Sequence, residues 1–143
     1  MREIPHFQKA PRKPYILCIS SFDKRKNLQN LIDAYNRIES TPYNLIIAGK
    51  LGSEFKHLSE TCSKNTSIIL IPNPTTEQIH SLYSDAIYCV YPSIFEGFGI
   101  PILEAFSHGK TIATSNISSM PEVGGDGAEY FNPLEIKDIK RSL

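Results

Sequence analysis

From Tyr15 onward, short apolar runs alternate with segments whose apolar residues recur at three- and four-residue steps. The runs are YILCIS (15–20), YNLIIAG (43–49), SIILI (67–71), IYCVYPS (87–93), KTIATS (110–115) and AEYFNP (128–133). Between them lie NLQNLIDAYNRIES (27–40), SEFKHLSETCSK (53–64), TEQIHSLYSDA (76–86) and IPILEAFSHG (100–109). A strand buried on both faces reads as an unbroken apolar run, and the intervening helices supply its cover. The order therefore predicts an α/β fold: a Rossmann-like, open, mostly parallel sheet of about six strands with helices on both faces.

Local signals agree with this pattern. Leu28, Leu31, Ile32, Tyr35 and Ile38 form one apolar stripe, opposite Asn30, Asp33 and Arg37. A threonine ahead of Glu77 and Gln78 suits a capped helix start, and Gly109 suits a helix end. In the helix at 100–108, Ile102, Leu103, Ala105 and Phe106 lie around the circumference, so it is expected to be packed on most sides, with Glu104 enclosed.

The remaining composition narrows the function. A chain of 143 residues fits one domain. The first fourteen residues, with three prolines, read as a leader or linker, leaving 15–143 as the folded unit. Fifteen basic residues balance fifteen acidic ones, so no net field favours nucleic acid or an anionic membrane. Cys18, Cys62 and Cys89 form no CxxC pair, and Cys18 and Cys89 sit in apolar runs, which points to buried thiols and a reducing, cytoplasmic setting. No signal-peptide core precedes them, and the four histidines are scattered without acid or cysteine neighbours at ligand spacing, so no metal is expected.

The chemistry concentrates after the fourth strand. Open parallel sheets bind ligands at the carboxyl ends of their strands, where helix N-termini present unpaired N–H groups. There the sequence EGFGIP places Gly97 and Gly99 in a turn that lets the backbone approach a ligand, and Pro101 in a first helical turn. An ionised Glu104 in apolar surroundings needs donors, from the protein or from ligand hydroxyls such as those of a ribose or hexose. Glu96 precedes the turn, and the turn can bring it to the same pocket; eight residues of helix would instead rotate it roughly 80° away. Two readings stay open on spacing alone: a ligand pocket with two carboxylates, or a solvated Glu96 and a Glu104 paired with a lysine or arginine.

The segment PSIFEGFGIPILEAFSHGKTIATSNISSMPEVGGDGAEYFNP (92–133) resembles the signature region of glycosyltransferase family 4, group 1 glycosyltransferases that are retaining enzymes of the GT-B fold. The resemblance runs from about Tyr15 to Pro133 and takes in KNLQNLIDAY, LIIAG and SLYSDA in the family's order. It implies the C-terminal, nucleotide-sugar-binding half of such an enzyme. Glu104 would accept hydrogen bonds from ribose hydroxyls, and Glu96 would sit near the transferred sugar. Backbone N–H groups around Phe98, Gly99 and Ile100 would hold sugar hydroxyls and diphosphate, and Lys26 would neutralise the departing diphosphate. Gly49 matches a glycine needed for close backbone approach after the second strand, whereas Pro72 stands where glycine is commoner.

The sequence departs from the pattern at Ser20 and Ser21, where the family often has glycine and then arginine; Arg25 is the candidate to replace that cation. The resemblance implies transfer of a hexose from a UDP- or GDP-linked donor to an acceptor hydroxyl with retention, without a cofactor or obligatory metal. The acceptor, a glycan or lipid-linked glycan, would bind an N-terminal domain that does not fit in fourteen residues, and the complete enzyme could associate peripherally with a membrane. Polysaccharide assembly follows from the family alone. The competing reading is a non-catalytic nucleotide-sugar-binding or assembly subunit. A dinucleotide-binding oxidoreductase is disfavoured because ISSFDKRKN contains no glycine-rich turn.

Overall fold

A computed structural model describes residues 14–143, so the leader expected over 1–14 lies outside the described residues apart from Pro14. The chain runs β1 (Tyr15–Ile19), a 3₁₀ turn (Lys24–Lys26), α1 (Leu28–Asn36), β2 (Asn44–Gly49), α2 (Phe55–Cys62), β3 (Ile68–Pro72), α3 (Thr76–Asp85) and β4 (Tyr88–Tyr91). It continues through α4 (Ile100–Ser107), β5 (Ile112–Ser115), α5 (Met120–Gly124), a second 3₁₀ turn (Gly125–Gly127), β6 (Ala128–Phe131) and α6 (Ile136–Ser142). The six strands form one sheet in the order β3-β2-β1-β4-β5-β6, and every pair is parallel. This is the expected Rossmann-like α/β architecture, with its topological switch between β1 and β4.

Successive strand residues serve opposite layers, as the pleat requires. Ile16, Cys18, Leu45 and Ile47 join the core under α1, α2 and α6. Tyr15, Leu17, Ile46 and Ala48 join the core under α3, α4 and α5. The stripe on α1 is buried as anticipated, with Ile38 only partly covered. The start of α3 carries a full capping box: Gln78 N–H donates to the Thr75 hydroxyl, and Thr75 N–H donates to the Gln78 side chain. All three cysteines are buried and unpaired, and burial pushes the Cys89 thiol up to about 12. No helix among the described residues is long and apolar enough to cross a membrane.

Two features differ from expectation. The tail LEIKDIKRSL forms α6, whose Ile136, Ile139 and Leu143 dock on the α1 side of the sheet. The helix α4 is not packed on most sides: Ile102 and Ala105 enter the core, but Ile100 is 60% and Leu103 is 42% exposed. Its apolar circumference is thus only half accounted for by burial, and Ile100 lines the open cleft at the strand tips.

Candidate functional site

At the carboxyl ends of β1, β2 and β4 lies a cleft of about 360 Å³ beside the first turn of α4. It gathers Ser20, Ser21 and Lys26 from the loop after β1, Gly49 and Lys50 from the tip of β2, Tyr91 from the end of β4 and Glu96 from the loop that follows. Phe98, Gly99, Ile100, Pro101 and Glu104 close its other wall. A larger cavity of about 520 Å³ opens at the far end of the sheet, but its ionisable lining is Asp126 and Glu129 with Tyr88 and no cation. It does not suit an anionic ligand.

Lys26 and Glu96 hold each other. The Lys26 ammonium stands 2.5 Å from Glu96 Oε2, with only 9% and 12% of the two side chains exposed. The same ammonium donates to the Tyr91 hydroxyl at 3.0 Å, and the Ser93 hydroxyl donates to Glu96 at 2.9 Å. Burial opposes ionisation of Glu96, yet the bonds from Lys26 and Ser93 outweigh it and hold the carboxyl below the ordinary glutamate range. Burial and the Glu96 charge push the Tyr91 phenol up, so it stays a neutral donor or acceptor. The Glu96 backbone is clamped as well: its N–H donates to the Ser118 hydroxyl, and the Ser118 and Ser119 hydroxyls reach its carbonyl, all at 3.0 Å. Ser118 adopts a left-handed φ of 58° in making these contacts.

Glu104 is different. It is partly exposed rather than enclosed, because α4 leaves this face open to the cleft. Among the described residues its side chain receives one hydrogen bond, from the Tyr83 hydroxyl at 3.3 Å, and no cation pairs with it. Burial, followed by the Glu104 charge, pushes the Tyr83 phenol up, so that hydroxyl keeps its proton. The carboxylate thus retains lone pairs directed at open space.

The glycine turn divides into two cases. Gly99 has φ +78°, which only glycine adopts without strain, and it caps α4. Gly97 has no such φ, and a Cβ there would meet nothing within 4 Å. Nothing in the protein demands glycine at 97. Gly49 is required by packing: an added Cβ would stand 2.0 Å from the Ser20 carbonyl oxygen, so the close approach is between the tips of β2 and β1.

Of the sequence-derived candidates, Glu96, Lys26, Glu104, Phe98, Gly99, Ile100 and Ser21 line one cleft, while Arg25 and Gly97 do not. Arg25 is exposed because the 3₁₀ turn rotates neighbours about 120° apart, sending Lys26 inward and Arg25 out. The Ser21 hydroxyl is engaged with Asp23 at 2.7 Å. Sequence reasoning overlooked Lys50, Tyr91, Ser93 and the serine pair at 118–119. A polar residue at the carboxyl end of an apolar run was the available signal for the first three. His80 and His108 are not scattered: their ring nitrogens meet at 3.1 Å, and Tyr83 stacks on His108 at 4.7 Å.

A doubly covered parallel sheet with charged side chains gathered at its switch point is an open α/β domain with its ligand-binding position occupied by chemistry. The chain belongs to the group 1 glycosyl transferases, whose family model matches residues 2–142. It is 36% identical over 135 residues to O-antigen chain mannosyltransferase B of Escherichia coli, covering 90% of this chain and 35% of that protein. It is 31% identical over 139 residues to O-antigen chain mannosyltransferase RfbU of Salmonella typhimurium, covering 95% and 39%. The fold is that of a glycosyltransferase from Rickettsia africae, with TM-score 0.82, 18% identity and 96% and 38% coverage. It is also that of Anabaena HepE in complex with UDP and glucose, with TM-score 0.81, 18% identity and 91% and 37% coverage. These neighbours are GT-B glycosyltransferases. The chain spans less than two fifths of the length of each of these four proteins.

Proposed function

We propose that residues 15–143 are the donor-binding half of a retaining glycosyltransferase, which transfers a hexose from a nucleotide diphosphate sugar to an acceptor hydroxyl. The observation that carries this reading is Glu104: a carboxylate on the cleft wall with, among the described residues, one 3.3 Å donor and no cation, beside a glycine turn. Such a group suits the vicinal hydroxyls of a ribose. The open space at Gly97 and the first turn of α4 suit an approaching sugar and its phosphates. Lys26, already poised next to Glu96, would share its charge with the diphosphate as the glycosidic bond breaks. Glu96, fixed by Ser93 and the serine clamp, would then orient the transferred sugar. The leaving phosphate would assist in deprotonating the acceptor hydroxyl, giving a front-face displacement.

An acceptor-binding domain N-terminal to this one would complete the enzyme, and this chain alone would transfer little. The named mannosyltransferases make a mannosyl donor the first to test, with a glycan acceptor in polysaccharide assembly in the cytoplasm. Calorimetric titration of the 143-residue chain with GDP, UDP and ADP and their sugars tests the reading. Binding of at least one, weakened about tenfold by Glu104→Ala, is expected on the loss of two charge-assisted hydrogen bonds. Absence of any nucleotide binding, or a Glu104→Ala variant that binds normally, overturns it.

A further inference from the structure

The cleft has no surplus of positive charge for a diphosphate, a point that the donor reading leaves unresolved. Lys26 and Lys50 are its two cations, and Glu96 and Glu104 its two carboxylates. Lys26 is already committed to Glu96 and to Tyr91. A diphosphate entering this space would meet a lysine whose charge is largely cancelled. Lys50, by contrast, is exposed and forms no ion pair among the described residues.

The backbone of Lys50 is held in place. Its carbonyl accepts the Phe22 N–H at 2.9 Å, which ties the β2 tip to the loop after β1. On either side, the Gly49 carbonyl accepts the Asn73 N–H at 2.8 Å and the Leu51 N–H donates to the Asn73 side chain at 2.9 Å. Asn73 adopts a left-handed φ of 51° there. The Ser20 carbonyl lies so close beneath Gly49 that no side chain fits between them. Lys50 therefore projects from a rigid stem immediately beside Ser20 and Ser21, two positions that bring hydroxyls to the cleft and no charge. A long ammonium side chain on a fixed base, next to two uncharged serines, is suited to an anion that arrives and leaves.

We propose that Lys50 is a ligand-binding residue that supplies the second positive charge for the phosphates of the donor, so that the diphosphate lies between Lys26 and Lys50. The proposal rests on the donor-binding reading above. It assigns Lys50 to phosphate and not to base or ribose, which sets its test.

The 143-residue chain and its Lys50→Ala and Lys50→Arg variants are titrated calorimetrically with GDP and UDP, and with guanosine and uridine. Lys50→Ala is expected to weaken the diphosphate that binds about tenfold, while changing affinity for the matching nucleoside less than about twofold. Lys50→Arg should recover most of the loss, and added salt should weaken diphosphate binding less steeply in Lys50→Ala than in the parent. The denaturation midpoint should stay unchanged, because the side chain is exposed. Equal diphosphate affinity in Lys50→Ala and parent overturns the Lys50 assignment alone, as does an equal loss for nucleoside and diphosphate. A parent chain that binds no nucleotide overturns the donor reading and this assignment with it.

Discussion

Glu96 and Glu104 face one cleft from opposite walls, and their surroundings could hardly differ more. Glu96 has a lysine at 2.5 Å, a serine hydroxyl at 2.9 Å and a backbone held by two further serines. Glu104 has a tyrosine hydroxyl at 3.3 Å and open space. Physical chemistry attaches different consequences to the two. A carboxylate whose donors come from the protein is part of the fold, and removing a partner leaves an uncompensated charge. A carboxylate without such donors is solvated until a ligand supplies them, and its removal costs the fold little. One acid is wired into the scaffold; the other is left available.

The largest expected effect is therefore on the wired side. Lys26→Ala should lower the unfolding free energy by about 3 kcal/mol, because it strands a nearly buried Glu96. Denaturant titration measures this. The double variant Lys26→Ala/Glu96→Gln should recover part of the loss, since the stranded charge is then gone. Two strictly additive losses would show that the pair is not coupled and would erase the distinction between the two acids.

A smaller effect should appear in the pH dependence. The Glu96 pKa is lowered on folding, so the group contributes stability above the unfolded value of about 4.3. That contribution is lost as the pH falls through the lower, folded-state value. Protonation takes the counter-charge from Lys26 but leaves its ammonium hydrogen-bonded to the Glu96 carboxyl and to Tyr91, so it costs less than Lys26→Ala, which leaves the Glu96 charge without any cation. Comparing the chain with Glu96→Gln isolates the effect from Asp138, whose carboxyl is also held low by Arg141. The difference between the two stability curves should shrink below about pH 4 and be constant at neutral pH. A difference that is flat throughout would mean that Glu96 gains nothing from its partners.

Smaller still is the serine clamp. Ser118→Ala removes hydrogen bonds at both the N–H and the carbonyl of Glu96, and should cost about 1 kcal/mol by denaturant titration. Because Ser118 sits at a left-handed φ, Ser118→Gly should relieve strain and recover some of that loss. An unchanged stability in Ser118→Ala would mean that Lys26, Ser93 and Ser119 hold the loop bearing Glu96 without it.

The contrast between the acids also marks what was legible in the sequence. The order of strands and helices was readable because each parallel strand is a continuous apolar run, a signal that tertiary context reinforces. The pair Glu96 and Glu104 was readable as a motif, but not the difference between them. That depends on Lys26 and Tyr91, which lie 65 residues apart and meet only through the β1–β4 pairing. The enclosure expected for Glu104 failed because apolar residues around a helix can line an open face as well as a core, as Ile100 and Leu103 do. Lys50 escaped notice because it lies far from Lys26 in the chain, whereas the β1–β2 register sets what is near in space. The helix α6 escaped notice because seven residues with two isoleucines are weak local evidence; its packing on the α1 layer holds it.

The smallest expected change in stability is the one that discriminates best. Glu104→Ala removes a single 3.3 Å bond from a partly exposed carboxylate, and the Tyr83 hydroxyl keeps the Pro101 carbonyl at 3.5 Å as an alternative. Its unfolding free energy should stay within about 0.5 kcal/mol of the parent. A ligand that binds only the folded state raises stability by RT ln(1 + [L]/Kd), so a saturating nucleoside diphosphate should raise the parent's melting temperature. In Glu104→Ala the same concentration should raise it distinctly less, although the two proteins melt together without ligand. A loss of more than about 1.5 kcal/mol in ligand-free Glu104→Ala would place this acid with Glu96, inside the scaffold, and the comparison would collapse. Equal ligand-induced shifts would leave the scaffold argument intact but take the ribose contact away from Glu104.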